Sequence, residues 1–131
     1  NNNNGPIPNP FGDDLPSVIA STIKKITNPR IFSKSPRLFC RAGQFSGSTF
    51  ELPHGELVLG RSKNCQIILN EPSVSRRHAT IIHSKHGTYI RDDASSLGTY
   101  VNNFRIDGPV LLRNKDIIQV GYEQIFEYLG D

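Results

Sequence analysis

The chain has 131 residues, 36% of them hydrophobic and 21% charged, a composition that fits one soluble globular domain with a polar appendage. Its formal net charge of +3 is unevenly placed: residues 1–37 hold five basic and two acidic residues, while residues 38–131 hold ten of each. A neutral body lacks the basic face by which nucleic-acid-binding domains grip phosphate backbones, and no apolar run approaches the roughly 18 residues that cross a membrane. The Asn-rich start shows neither an apolar leader segment nor an initiating Met, so the sequence reads as a cytoplasmic excerpt of a longer protein. Cys40 and Cys65 both stand in apolar, strand-like contexts and are expected to be buried free thiols. With two cysteines, and histidines scattered at 54, 78, 83 and 86, the chain lacks the spacing of a metal site, and no cofactor is expected.

Residues 1–36 are expected to form a flexible tail. Its first part, NNNNGPIPNPFGDD at 1–14, holds too little apolar surface to offset the entropy of ordering and reads as disordered. Leu15, Val18, Ile19, Thr22, Ile23 and Ile26 then fall at helical spacing, with Pro16 in a first-turn position and Asn28-Pro29 as a stop. That pattern predicts a short amphipathic helix over 15–27. It is rich in β-branched residues and so marginal in isolation, a linker that orders only when docked.

From residue 37 onward the texture changes. Short runs rich in Val, Ile, Phe, Tyr and Thr are punctuated by Gly, Pro, Asn and Asp, and predict strands near 37–42, 48–53, 56–61, 66–69, 78–84, 87–91, 99–101, 104–106, 110–113, 116–120 and 123–129. Eleven short strands without a helix predict an all-β fold, an antiparallel β-sandwich over 37–131, with the loops at one end forming a binding surface on a stiff scaffold. Asn102-Asn103 is predicted as a two-residue hairpin turn, because Asn tolerates the positive φ that such turns need.

The chemistry gathers between Gly60 and His78, GRSKNCQIILNEPSVSRRH. One arginine follows a strand, and a Ser-Arg-Arg-His cluster follows a turn-forming Asn-Glu-Pro-Ser. Guanidinium groups and a serine hydroxyl aimed at one point suit a phosphate, since a planar fork of charged donors matches phosphate oxygens. Ordinary solvated loop charges are the competing reading. Catalysis is not expected: Ser75 and His78 lie three apart with no Gly-x-Ser-x-Gly around the serine and no third residue to orient the histidine.

Gly60-Arg61, Ser75-Arg76-Arg77-His78 and Ser95-Ser96-Leu97-Gly98-Thr99-Tyr100-Val101-Asn102, followed by LLRNKDIIQVG ending at Gly121, together resemble the forkhead-associated (FHA) domain over roughly 38–129. The resemblance implies a FHA/SMAD-like sandwich that binds phosphothreonine peptides through loops at one end. By that resemblance Arg61 is the main phosphate contact, Ser75 a hydroxyl donor, Arg76 an added contact, and Ser96 a hydroxyl or amide from the neighbouring loop. Gly60 permits the sharp exit that aims Arg61. His78, Gly98, Thr99 and Asn102 support the site, with Asn102 tying loops together beneath it. Ser62, Lys63, Asn64, Glu71 and Ser73 fall in the loops that set peptide preference.

One position departs from the family pattern. Leu97 stands where the family usually has an Asn that hydrogen-bonds the bound peptide, and leucine can neither donate nor accept. The lost bond is expected to cost about 0.5–1.5 kcal/mol, unless an apolar contact replaces it. The expected function is recognition of phosphothreonine on a partner protein in kinase-dependent signalling, with no enzyme activity. A phosphate-independent assembly module on the same scaffold is the alternative, and capture of the chain's own Thr22 or Thr27, once phosphorylated, is a variant.

Overall fold

The computed structural model describes residues 35–130, together with two short strands at Pro8–Asn9 and Gly12–Asp13. The chain divides into two compact units, Asn1–Lys34 and Ser35–Asp131. In the first, Pro8 pairs with Asp13 and Asn9 with Gly12, antiparallel. The sequence predicts disorder over 1–14, and the described part of that stretch is this single pairing of two-residue strands. The predicted helix over 15–27, with Thr22 and Thr27, lies outside the described residues.

The second unit is built of strands: β1 (Arg37–Ala42), β2 (Thr49–Glu51), β3 (Gly55–Gly60), β4 (Ile67–Ile68), β5 (Ala79–Ser84), β6 (Gly87–Asp92), β7 (Thr99–Val101), β8 (Phe104–Arg105), β9 (Val110–Leu111), β10 (Ile117–Val120) and β11 (Gln124–Leu129). They form a six-stranded sheet in the order β8-β7-β10-β11-β1-β2 and a five-stranded sheet in the order β9-β6-β5-β3-β4. The predicted all-β sandwich is therefore present, with each predicted strand in place. Among the described residues there is no helix long and apolar enough to cross a membrane.

One pairing differs from a wholly antiparallel sandwich. β4 runs parallel to β3, with Leu59 opposite Ile67 and Gly60 opposite Ile68. The chain leaving β3 folds through a turn closed by Cys65 N–H on Ser62 O (3.1 Å) and comes back alongside the strand it has just left. Gln66 pins this return: its amide donates to Val58 O (3.0 Å), and its side-chain oxygen accepts from Val58 N–H (2.7 Å). The crossing keeps residues 61–66 at the edge where the other loops gather.

Alternation sets the core. Along β11 every second residue is buried, Gln124, Phe126 and Tyr128, and β1 and β10 alternate likewise through Leu38, Cys40, Ile118 and Val120. All but Gln124 join Leu57 and Leu59 of β3, Ile81 of β5 and Ile90 of β6 in one buried apolar cluster. Each such side chain contributes about 1.5–3 kcal/mol through burial. Both cysteines are buried and free, as expected. Asn102 (φ 52°) and Asn103 (φ 72°) form the predicted β7–β8 turn. The first and last strands lie side by side, with Arg37 opposite Leu129.

Candidate functional site

Connections from four parts of the chain meet at one end of the sandwich and are sewn together by backbone amides. Arg61 N–H donates to Ser75 O and Ser62 N–H to Arg76 O, each at 3.0 Å. Ser96 N–H donates to Ser75 Oγ (2.9 Å), and Tyr122 N–H to Ser73 Oγ (2.9 Å). Gly60 stands where these loops come closest. Its φ is not left-handed, and a Cβ there would stand 2.2 Å from Arg76 O and 2.9 Å from Cys65 Sγ. Glycine is needed so that two loops can touch.

Arg61 is exposed, but its guanidinium is not free to swing. Nε donates to Val74 O at 2.9 Å, which leaves the two terminal nitrogens without a partner among the described residues. Ser75 is held from both ends. Its N–H donates to Nδ1 of His78 (3.0 Å) while its hydroxyl oxygen accepts from Ser96 N–H. The hydroxyl hydrogen is therefore left to donate outward. The amide of Ser96 is taken up in that bond, so of the two groups expected to approach a ligand only its hydroxyl remains uncommitted. Arg76 is exposed, and its side chain makes no hydrogen bond among the described residues. Arg77 turns away to Asp93 (3.2 Å) and Thr80 (3.4 Å).

The bracing beneath these groups is buried. His78 is fully inaccessible. Because Nδ1 accepts, the proton resides on Nε2, which donates to Gly98 O at 2.8 Å. One ring thus spans the 69–78 and 93–98 loops. Gly98 has φ +90°, and a Cβ there would collide with the Arg105 side chain. Thr99 donates to Asp92 Oδ1 (2.7 Å). Asn102 stands apart from this group, a full strand away at the other end of β7. There its side chain donates to Asp116 (3.0 Å) and accepts from Ile117 N–H (2.9 Å), tying the β7–β8 turn to β10.

Among the expected preference residues, Ser62 Oγ accepts from Asn64 N–H (3.1 Å), a turn that leaves Lys63 and Asn64 exposed at its tip. Ser73 faces inward instead: its hydroxyl donates to Glu71 and accepts from Tyr122. Leu97 is 36% exposed beside Ser96. Arg61, Lys63 and Arg76 make a locally positive surface on an otherwise neutral body, with no ion pair to any of them among the described residues.

The FHA domain model matches residues 57–121, which hold Arg61, Ser75, His78 and Ser96. A solved structure from a structural and functional study of phosphothreonine-dependent FHA domain interactions superimposes with a TM-score of 0.67 at 30% identity, over 75% of this chain and 98% of that one. The chain belongs to the FHA family. As an FHA domain it is also 40% identical over 81 residues to the ABC transporter ATP-binding/permease protein Rv1747 of Mycobacterium tuberculosis, covering 62% of this chain and 9% of that protein. It is 36% identical over 87 residues to the glycogen accumulation regulator GarA of the same organism, covering 66% of this chain and 53% of GarA. The chain thus spans from under a tenth to about half of these curated relatives.

Two residues that hold this FHA domain's loops, Asp92 and Asp93, were not singled out in the sequence, and a third, Glu71, was named there only for peptide preference. Asp92 accepts from Ser95 N–H (3.0 Å), Ser95 Oγ (2.5 Å) and Thr99 Oγ1 (2.7 Å), fixing the start of the 93–98 loop. The Asp-x-x-Ser spacing of 92–95 is the signal that marks such a turn. Asp93 gathers Arg77, Thr80 and Arg91. Glu71 accepts from Ser73 and from Gln124 (2.6 Å), linking the 69–78 loop to β11.

Burial alone would push Asp92's carboxyl up, but the hydrogen bonds from Ser95 and Thr99 outweigh it and hold it below its ordinary value. Asp93 is likewise raised by burial and lowered further by bonds from Thr80, Arg91 and Arg77. The folded domain therefore binds these protons less tightly than the unfolded chain does. The stabilisation is complete above the ordinary carboxylate pKa of about 4 and is lost as pH falls through the lower folded values. Thermal melts between pH 6 and pH 3 should show a smaller acid loss in Asp92→Asn than in the wild type, starting from a lower melting temperature. Equal acid losses in the two proteins would remove Asp92 from this role.

Proposed function

We propose that this FHA domain reads phosphothreonine on a partner protein, with Arg61 and Ser75 holding the phosphate and Arg76 and the Ser96 hydroxyl beside them. The observation that carries this reading is the pairing of Arg61, fixed by Val74 O so that its terminal nitrogens are presented, with a Ser75 hydroxyl whose oxygen is already satisfied. Both are donors held in place before any ligand arrives, and a phosphothreonine supplies three acceptor oxygens and about −1.5 to −2 charges at pH 7. Preorganised donors bind an anion without the cost of ordering loops around it. FHA domains are interaction modules, and nothing in this arrangement calls for bond making or breaking. Kinase-dependent signalling in the cytoplasm is the setting in which such a ligand arises.

The test is a degenerate peptide library in phosphothreonine, phosphoserine and unphosphorylated forms, titrated against the domain. Phosphothreonine peptides should bind selectively, because a fitted methyl adds up to about 1–3 kcal/mol over serine. Affinity should fall below about pH 6 as the phosphate takes its second proton. Binding that ignores phosphorylation, or that is equal at pH 5 and pH 7.5, would leave the phosphate-independent module standing.

A further inference from the structure

Arg105 enters the sequence reading only as part of the strand near 104–106, yet its side chain lies against Gly98, immediately before β7. It stands on β8 opposite Tyr100 of β7, and Phe104 stands opposite Val101. Val101 is buried in the core, so Arg105 and Tyr100 share the other face. Gly98 is two residues before Tyr100 and diagonal to Arg105, a separation that a long side chain spans. It does so here: a Cβ on Gly98 would meet Arg105 Nε at 2.6 Å and Cζ at 2.9 Å. The Arg105 side chain packs against Gly98 in space that glycine leaves free, and Gly98 directly follows Ser96 and Leu97 in the chain.

Unlike Arg41, Arg77 and Arg91, which each hold a carboxylate, Arg105 makes no hydrogen bond or ion pair among the described residues, and it is exposed. Its neighbour Leu97 is the position that cannot hydrogen-bond a peptide. A cation with five unused donors therefore stands beside the one gap in the peptide-binding pattern. Gly98 is two residues from Ser96, at most about 7 Å along the chain, so the guanidinium lies within the reach of about two or three residues of extended peptide from a phosphate held at Ser75.

We propose that Arg105 forms a second anion subsite, which takes an acidic side chain or a second phosphate two or three residues from the phosphothreonine of the same peptide. This rests on the phosphothreonine reading above. Anion capture at Arg105 offsets the contact that Leu97 cannot make, and it gives the domain a preference for doubly anionic segments.

The experiment walks one Asp, and in a parallel series one phosphoserine, through positions −4 to +4 of a neutral phosphothreonine peptide. Affinities are measured for the wild type, Arg105→Ala and Arg105→Glu. At one position the added anion should tighten wild-type binding by about three-fold to ten-fold. The gain should vanish in Arg105→Ala and turn into a loss in Arg105→Glu, while the neutral phosphothreonine peptide binds wild type and Arg105→Ala equally. A larger gain with phosphoserine than with Asp identifies a second phosphate as the ligand; equal gains identify a carboxylate. A position-independent response, or a gain that survives in Arg105→Ala, overturns the subsite while leaving the phosphothreonine reading intact. Failure of every phosphothreonine peptide to bind the folded wild type overturns both.

Discussion

Replacing Arg61 with alanine should weaken phosphothreonine-peptide binding by about 30-fold or more while costing the fold little. Truncating one partner of a hydrogen-bonded charge pair costs about 2–5 kcal/mol, because the remaining charge keeps its desolvation without its counterpart. The stability cost is confined to the bond from Nε to Val74 O, about 0.5–1.5 kcal/mol. Arg61→Lys separates charge from geometry. An ammonium cannot donate to Val74 O and present a planar fork at the same time, so lysine should recover only part of the affinity. Calorimetric titration with one phosphothreonine peptide decides the matter: Arg61→Ala binding within three-fold of wild type would take Arg61 out of the phosphate contact.

His78→Ala should do the opposite, damaging the fold first and binding through it. The ring is fully buried and joins Ser75 N–H to Gly98 O. Its removal leaves two backbone groups without partners, each costing about 1–3 kcal/mol, and a cavity besides. A total near 3–5 kcal/mol is a large share of the 5–15 kcal/mol that holds a typical domain together. The melting temperature should fall by at least about 10 °C. At a temperature where the variant is still folded, phosphopeptide affinity should also drop, since Ser75 loses its anchor. A variant that melts within about 3 °C of the wild type would show that the loops do not depend on this bridge.

The strands were legible because each buries one face, which writes a two-residue period into Leu57–Leu59, Ile118–Val120 and Phe126–Tyr128. The Asn102-Asn103 turn was legible because its backbone demands residues that accept positive φ. The parallel pairing of β4 with β3 was not, since a two-residue strand carries no mark of its neighbour's direction. At the site, Arg61, Ser75 and His78 could be named from their spacing and family pattern. The bonds that make them useful could not. Val74 O on Arg61, the Ser96 amide on Ser75 and the reach of Arg105 over Gly98 all depend on loops meeting in space. Asn102 shows the same limit from the other side: its structural chemistry could be read, but its distance from the loops required the three residues of β7 to be laid out as a strand.

The adjacency of β1 and β11 gives the domain a single doorway. Antiparallel pairing from Ile125–Ala42 to Leu129–Arg37 brings entry and exit of the chain together. β11 starts next to the Tyr122 turn that touches Ser73 and runs away from it. Arg37, where β1 begins, and Leu129, where β11 ends, therefore lie together at the opposite end of these strands from the Tyr122 turn. Strands arranged this way bring the two ends of the sandwich to one doorway, separated by the length of β11 from the loops that Ser73 and Tyr122 join.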